Sequence, residues 1–145
     1  KDSSVGAGGV ATLFLVASLT VAGIYNILDY HFIYGIVICE MVAKTSLITT
    51  ALLSKPLMPG IGSHFIENTK LSNYFASTVL VGIIAFLLGG LVGVVGVIGA
   101  IASGLIIAVI AKRNFVFANG DVLGMSNEVG RFFALIFMSV ALYFI

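Results

Sequence analysis

Charged side chains are scarce in this chain: Asp, Glu, Lys and Arg make up 9% of its 145 residues, against about 25% in soluble domains. Apolar residues supply 60%, so water is excluded as the main solvent of the fold and the bilayer takes its place. A formal net charge of +1, with no run of lysines or arginines, excludes a phosphate-tracking stripe and with it nucleic acid as a partner. The single cysteine, Cys39, allows no intrachain disulfide and no cysteine metal cluster, and its apolar surroundings suit a small buried hydrophobe. No methionine precedes Lys1-Asp2, and the basic stretch, short apolar run and small-residue site of a signal peptide are missing. The expectation is a cleaved or truncated piece of something longer.

What is present is apolar length. A membrane-crossing helix needs about 20 mostly apolar residues, because lipid offers backbone N–H and C=O groups no partners and a helix satisfies them internally. Segments near 5–28, 32–53, 72–88, 92–111 and 126–145 meet that requirement, which predicts an all-α, polytopic integral membrane protein of about five transmembrane helices in one domain. The uncharged stretch from Ser72 to Ala111 would measure about 60 Å as one helix, twice the hydrocarbon thickness of about 30 Å, so two helices are expected, turning near Gly89-Gly90. The polar stretch from Ser54 to Leu71 holds both prolines and reads as a loop. Gly89, Gly93, Gly96, Ala100 and Gly104 follow mostly small-xxx-small spacing, which lets helix backbones approach.

With the N-terminus inside, Lys1, Lys55, Lys70, Lys112 and Arg113 all fall on the cytoplasmic side, while Asp29, His31 and most tyrosines fall outside. The positive-inside rule therefore predicts one orientation in the cell membrane.

Ionisable residues within spans are costly, about 2.5–3.5 kcal/mol at a helix centre. Glu40 and Lys44 stand at i and i+4 in the second span, with Thr45, Ser46, Thr49 and Thr50 after them. A mutually neutralised pair that fixes helix packing and a cavity-lining role both fit. In the run Gly120-Asp121-Val122-Leu123-Gly124-Met125-Ser126-Asn127-Glu128, residues 121, 124, 125 and 128 share one helix face. A carboxylate near the membrane surface can hold Mg²⁺ that takes its other ligands from water and phosphate oxygens, which favours phosphoryl-group chemistry. The alternative is that Asp121 caps the last helix and Glu128 pairs with Arg131. Lys1, Asp2 and Ser3 form a further polar group on the same expected side, or a capped N-terminus. Neither His31 nor His64 belongs to an HExxH pair, and no P-loop lysine or GxSxG nucleophile is present.

The Lys1-Asp2-Ser3-x-Val5-Gly6-Ala7-x-Gly9-Val10 opening and the Gly120-Asp121-Val122-Leu123-Gly124-x-x-x-Glu128 run resemble the cobalamin (5'-phosphate) synthase family. Gly60-Ile61-Gly62-Ser63-His64-Phe65 is similar to that family's short glycine loop, and the Glu40–Lys44 segment to its polar second helix. The resemblance implies a Mg²⁺-dependent membrane transferase that joins adenosylcobinamide-GDP to α-ribazole or its 5'-phosphate and releases GMP on the cytoplasmic face. It implies Asp121 and Glu128 as catalytic, metal-contacting carboxylates, Gly120 and Gly124 as close-approach positions, and Lys1, Asp2, Ser3, Glu40, Lys44 and Asn127 along the substrate cavity. Asn119 stands where the family usually has threonine, and Lys44 where it often has arginine. The family's aspartate-rich segment, Asp-Gly-x-x-Asp-x-x-Asp-Gly, has no counterpart here. The chain is therefore expected to be the C-terminal part of such an enzyme, inactive alone, and to associate with its N-terminal segment or with another copy. A small transporter or channel subunit, with Glu40 and Lys44 at a midplane site, and a noncatalytic assembly subunit are the rival readings.

Overall fold

The computed structural model describes residues 7–30, 32–57, 59–114 and 118–144, with side chains from residue 10 onward. Its elements are α1 (Ala7–Asp29), α2 (Tyr34–Leu53), α3 (Ile61–Asn68), α4 (Leu71–Asn114) and α5 (Gly120–Phe144). No strand occurs among the described residues; the chain is an all-α, multi-pass membrane protein, and α1, α2, α4 and α5 are each long and apolar enough to cross a bilayer.

At 44 residues, α4 would run about 66 Å if straight, and it does not. Gly90 adopts φ 55° and ψ −140°, a left-handed conformation that costs residues with a Cβ far more than it costs glycine. Three residues later, a Cβ on Gly93 would collide with the carbonyl oxygen of Ala85. Eight residues of straight helix would hold those two positions about 12 Å apart, so the chain folds back on itself here. Residues 71–89 and 91–114 are the two limbs of a tight hairpin, with its turn where the sequence places it.

The stretch read as a loop contains a short helix, α3, which corrects that expectation. Ser63 Oγ donates to the Gly60 carbonyl at 2.7 Å and accepts from the Gly60 N–H at 2.8 Å, closing a capping box that polarity and glycine content disguise. Pro56 keeps Lys55 extended, and the extended strip pairs with Ala118: the Ala118 N–H donates to the Lys55 carbonyl at 2.8 Å and the Leu57 N–H to the Ala118 carbonyl at 3.0 Å. Gly62 then lies so close to Gly120 that an added Cβ would stand 2.6 Å from its backbone nitrogen. The entry to α5 is held by backbone on backbone.

Two apolar clusters fill the interior. One gathers Ile27, Ile38, Cys39, Val42, Ala85, Val97, Ala100, Leu135 and Met138; the other, at the end carrying Lys55 and Ala118, gathers Ala51, Ile66, Ala118 and Leu123. Between them lies a seam of buried hydroxyls. Ser46 Oγ is 2.9 Å from each of Ser103 Oγ, Ser126 Oγ and the Ser126 carbonyl, and Thr50 Oγ1 donates to the Gly104 carbonyl at 3.0 Å while lying 2.6 Å from Ser126 Oγ. Gly104 and Gly130 clear the space: a Cβ on Gly104 would be 2.6 Å from the Ser46 carbonyl oxygen, and one on Gly130 would meet Ser46 Cβ. The small residues thus let α2, the second limb of α4 and α5 approach closely enough for hydroxyls to bridge them.

Two stability effects follow. Ser46→Ala should cost about 0.6–2 kcal/mol, the range for interhelical hydrogen bonds in membranes. Gly93→Val should cost about 3 kcal/mol or more, because the obstacle is backbone and cannot turn aside. Cys39 is fully buried, so its rate of maleimide labelling in membranes reports opening; a Gly93→Val protein labelling no faster than wild type would show that the hairpin is not tightly closed.

Candidate functional site

The last helix begins at a side-chain cap. Asn119 Oδ1 accepts from the Val122 N–H at 3.1 Å, as an N-cap residue does, and Asn119 Nδ2 donates to Asp121 Oδ2 at 3.2 Å. The cap expected of Asp121 therefore falls to Asn119. Asp121 sits in the first turn, exposed, where a negative charge is favoured by the helix dipole.

From this start α5 divides into two faces. Leu123, Ser126, Asn127 and Gly130 are buried, whereas Gly120, Asp121, Gly124, Met125 and Glu128 are exposed. Nothing lies within 4 Å of a Cβ built on Gly120 or Gly124. The face that the sequence pattern singles out is an open one, and its two glycines leave bare backbone for a bulky group to approach.

Glu40 and Lys44 of α2 stand beside this face, but they do not pair with each other as their spacing suggests. Arg131 takes Glu40: its Nη2 donates to Glu40 Oε2 at 2.9 Å and its Nε lies 2.5 Å from Oε1. The same guanidinium reaches Glu128 through Nη1. Asn127 links the rest, donating from Nδ2 to Glu128 Oε1 at 3.0 Å and accepting at Oδ1 from Lys44 Nζ at 2.8 Å. Glu40, Arg131, Glu128, Asn127 and Lys44 form one continuous network across α2 and α5. Its centre is covered and its edges are open: the Arg131 side chain is 18% exposed, those of Glu40 and Glu128 51% and 53%.

The depth of this network matters. Along α5 from Gly120, Arg131 lies about 16 Å in, roughly half the hydrocarbon thickness. Charges half exposed at that depth are tolerated against water or protein, not against lipid tails. Beyond Glu40 and Arg131 the exposed surface of α2 and α5 turns apolar, with Val37, Ile33, Ile136 and Val140, and polar groups return only near the far end, where Asn26, Tyr30, Ser139 and Tyr143 gather around Val140. The strip therefore runs from Asp121 at one membrane surface to mid-depth and stops.

Arg131 is the member that sequence reasoning undervalued, naming it only as a possible i+3 partner of Glu128. A charge tally over the spans holds the missing signal: two intramembrane carboxylates on different helices call for a shared cation, and Arg131 lies on the same α5 face as Gly124 and Glu128. Lys1, Asp2, Ser3 and His31 lie outside the described residues. His64 is exposed on α3, with Asn68 Nδ2 against its ring, and is not part of the network.

Among the described residues no three His, Cys, Asp or Glu side chains gather as a metal cluster. A Mg²⁺ ion at a phosphate-bearing substrate needs only one or two carboxylates, since water and phosphate oxygens complete its shell. Asp121, exposed and held by a single neutral amide, fits that demand. Glu128 does not fit it while bound to Arg131 and Asn127.

Comparison with known proteins gives the family of the chain. The sequence model described as cobalamin-5-phosphate synthase matches residues 1–139. Proteins named adenosylcobinamide-GDP ribazoletransferase are similar over most of the chain: 33% identical in Methanococcoides burtonii, covering 98% of this chain and 56% of the relative; 29% in Methanosarcina mazei, covering 98% and 57%; and 33% in Thermoplasma acidophilum, covering 90% and 52%. The chain thus spans little more than half the length of these relatives. No solved structure matches it. With the match running through both the Asp121–Glu128 face and the Glu40–Lys44 segment, the chain belongs to the cobalamin-5-phosphate synthase family.

Proposed function

We propose that this chain carries part of a membrane-embedded transferase site that joins adenosylcobinamide-GDP to α-ribazole or its 5'-phosphate and releases GMP. The observation that carries this reading is the polar strip on α2 and α5, which opens at one membrane surface and ends at mid-depth. A site for soluble, phosphate-bearing substrates needs entry from one side only. A transporter needs polar lining on both sides of its midplane site, and the apolar surface beyond Glu40 and Arg131 does not supply it.

In this reading Asp121 would hold Mg²⁺ against the diphosphate, and the ion would supply charge neutralisation for the departing nucleotide. The remaining work belongs to the protein. Gly120 and Gly124 admit the substrate to the α5 backbone; Arg131 keeps Glu40 and Glu128 in place, and Asn127, buried and fixed by Glu128, aims Lys44. The part of the relatives' length that this chain does not span, or a second copy, would roof the open side and exclude water, which strengthens every electrostatic contact beneath. The basic residues at the Asp121 end, Lys55, Lys70, Lys112 and Arg113, support a cytoplasmic active face.

The test uses the full reading frame in membranes, supplied with adenosylcobinamide-GDP, α-ribazole 5'-phosphate and Mg²⁺, with GMP release followed by chromatography. Asp121→Asn is expected to lower the rate at least about 100-fold, equivalent to about 2.7 kcal/mol of transition-state stabilisation. Folded protein that releases no GMP with either form of ribazole would move the assignment to transport or assembly.

A further inference from the structure

The network has two cations, and they are not equivalent. Arg131 is claimed by two carboxylates, Glu40 and Glu128. Lys44 has no carboxylate within ion-pairing distance among the described residues; its ammonium donates to the neutral amide oxygen of Asn127 at 2.8 Å. One acceptor leaves an ammonium two further protons to place.

Position sharpens the imbalance. Lys44 lies about 13 Å along α2 from the Leu53 end, well inside the hydrocarbon region, and it is exposed. A lone cation there is expensive unless an anion or water reaches it. Nor is it loosely placed: Asn127 is 8% exposed, and its amide nitrogen is committed to Glu128 Oε1 at 3.0 Å, so the oxygen is turned toward Lys44 and the ammonium is held beside the open face. On that face the nearest acidic groups are Glu128 and Glu40, both engaged by Arg131, and Asp121, nearer the surface by about 9 Å of helix rise than its neighbour Asn127.

We propose that Lys44 is an anion contact of the site and that its ligand is a phosphate or diphosphate group. This rests on the transferase reading and deepens it: Asp121 and Lys44 would grip different oxygens of one phosphate-bearing substrate, the first through a cation near the surface, the second directly and deeper in. A point-charge ammonium suits phosphate oxygens without demanding the bidentate geometry of a guanidinium. The phosphate could belong to the soluble substrate or to a lipid headgroup drawn into the strip, and the two sources are separable.

Reductive methylation of the full-length protein in dodecyl maltoside, with EDTA present, would be followed at Lys44 by mass spectrometry, with exposed Lys70 as the internal control. Inorganic pyrophosphate is expected to slow methylation of Lys44 about tenfold, a differential of about 1.4 kcal/mol, and to leave Lys70 unaffected. Protection by phosphatidylglycerol alone would assign the same chemistry to a lipid. Protection by neither, or a Lys44 that resists methylation with no ligand because a carboxylate elsewhere already neutralises it, would overturn the proposal. Lys44→Met should also raise the KM for adenosylcobinamide-GDP about tenfold or more with a smaller change in kcat, and Lys44→Arg should recover most of it; an unchanged KM in a folded Lys44→Met protein would count against the contact. Because pyrophosphate protection needs no turnover and no metal, it can succeed where GMP release fails, and the converse.

Discussion

Ser46 stands where three helix backbones come within one side chain of each other, and the rest of the molecule is arranged around that approach. Lipid gives apolar helices no reason to associate, since its tails are as apolar as leucine; close packing and interhelical hydrogen bonds must hold them. Gly104 and Gly130 bring the helices near, and the hydroxyls of Ser46, Thr50, Ser103 and Ser126 join them. The seam also fixes the site, because Ser126 precedes Asn127 and Glu128, and Ser46 follows Lys44 by two positions. A hydroxyl lost from the seam is felt next door, in the aim of the charged strip.

The long apolar runs made the membrane architecture legible, and the impossibility of one straight span over the uncharged stretch from Ser72 to Ala111 located the hairpin at Gly89-Gly90. The open face of α5 was legible too, since residues 121, 124, 125 and 128 coincide only on a helix. What stayed hidden was everything that depends on one helix meeting another. Glu40 and Lys44 look like partners at i and i+4, yet a carboxylate prefers a bidentate guanidinium, and Arg131 lies 91 positions away in sequence. The cap given to Asn119 rather than Asp121 is a similar case, because both residue types cap well and only geometry chooses. The short helix α3 was masked by prolines and glycines that in fact frame it.

Family membership and the geometry meet at a common point. The relatives are named for a transfer reaction, and the match runs along the helices that carry the charged strip. On this chain the strip presents exposed carboxylates and exposed glycine backbone on an open side.

The way the strip ends has a consequence for how far water can follow it. Past Arg131 the interior closes with Ile38, Leu135 and Met138, none of them exposed, and the hairpin turn brings Gly89 against Phe32 and Ile38. Water that reaches Lys44 and Glu40 meets this apolar layer next, and the first hydroxyl past Arg131 on α5 is that of Ser139, buried with no hydrogen-bond partner. A helix bundle of this build can carry charges to mid-depth from one side of the bilayer while keeping an apolar layer beneath them.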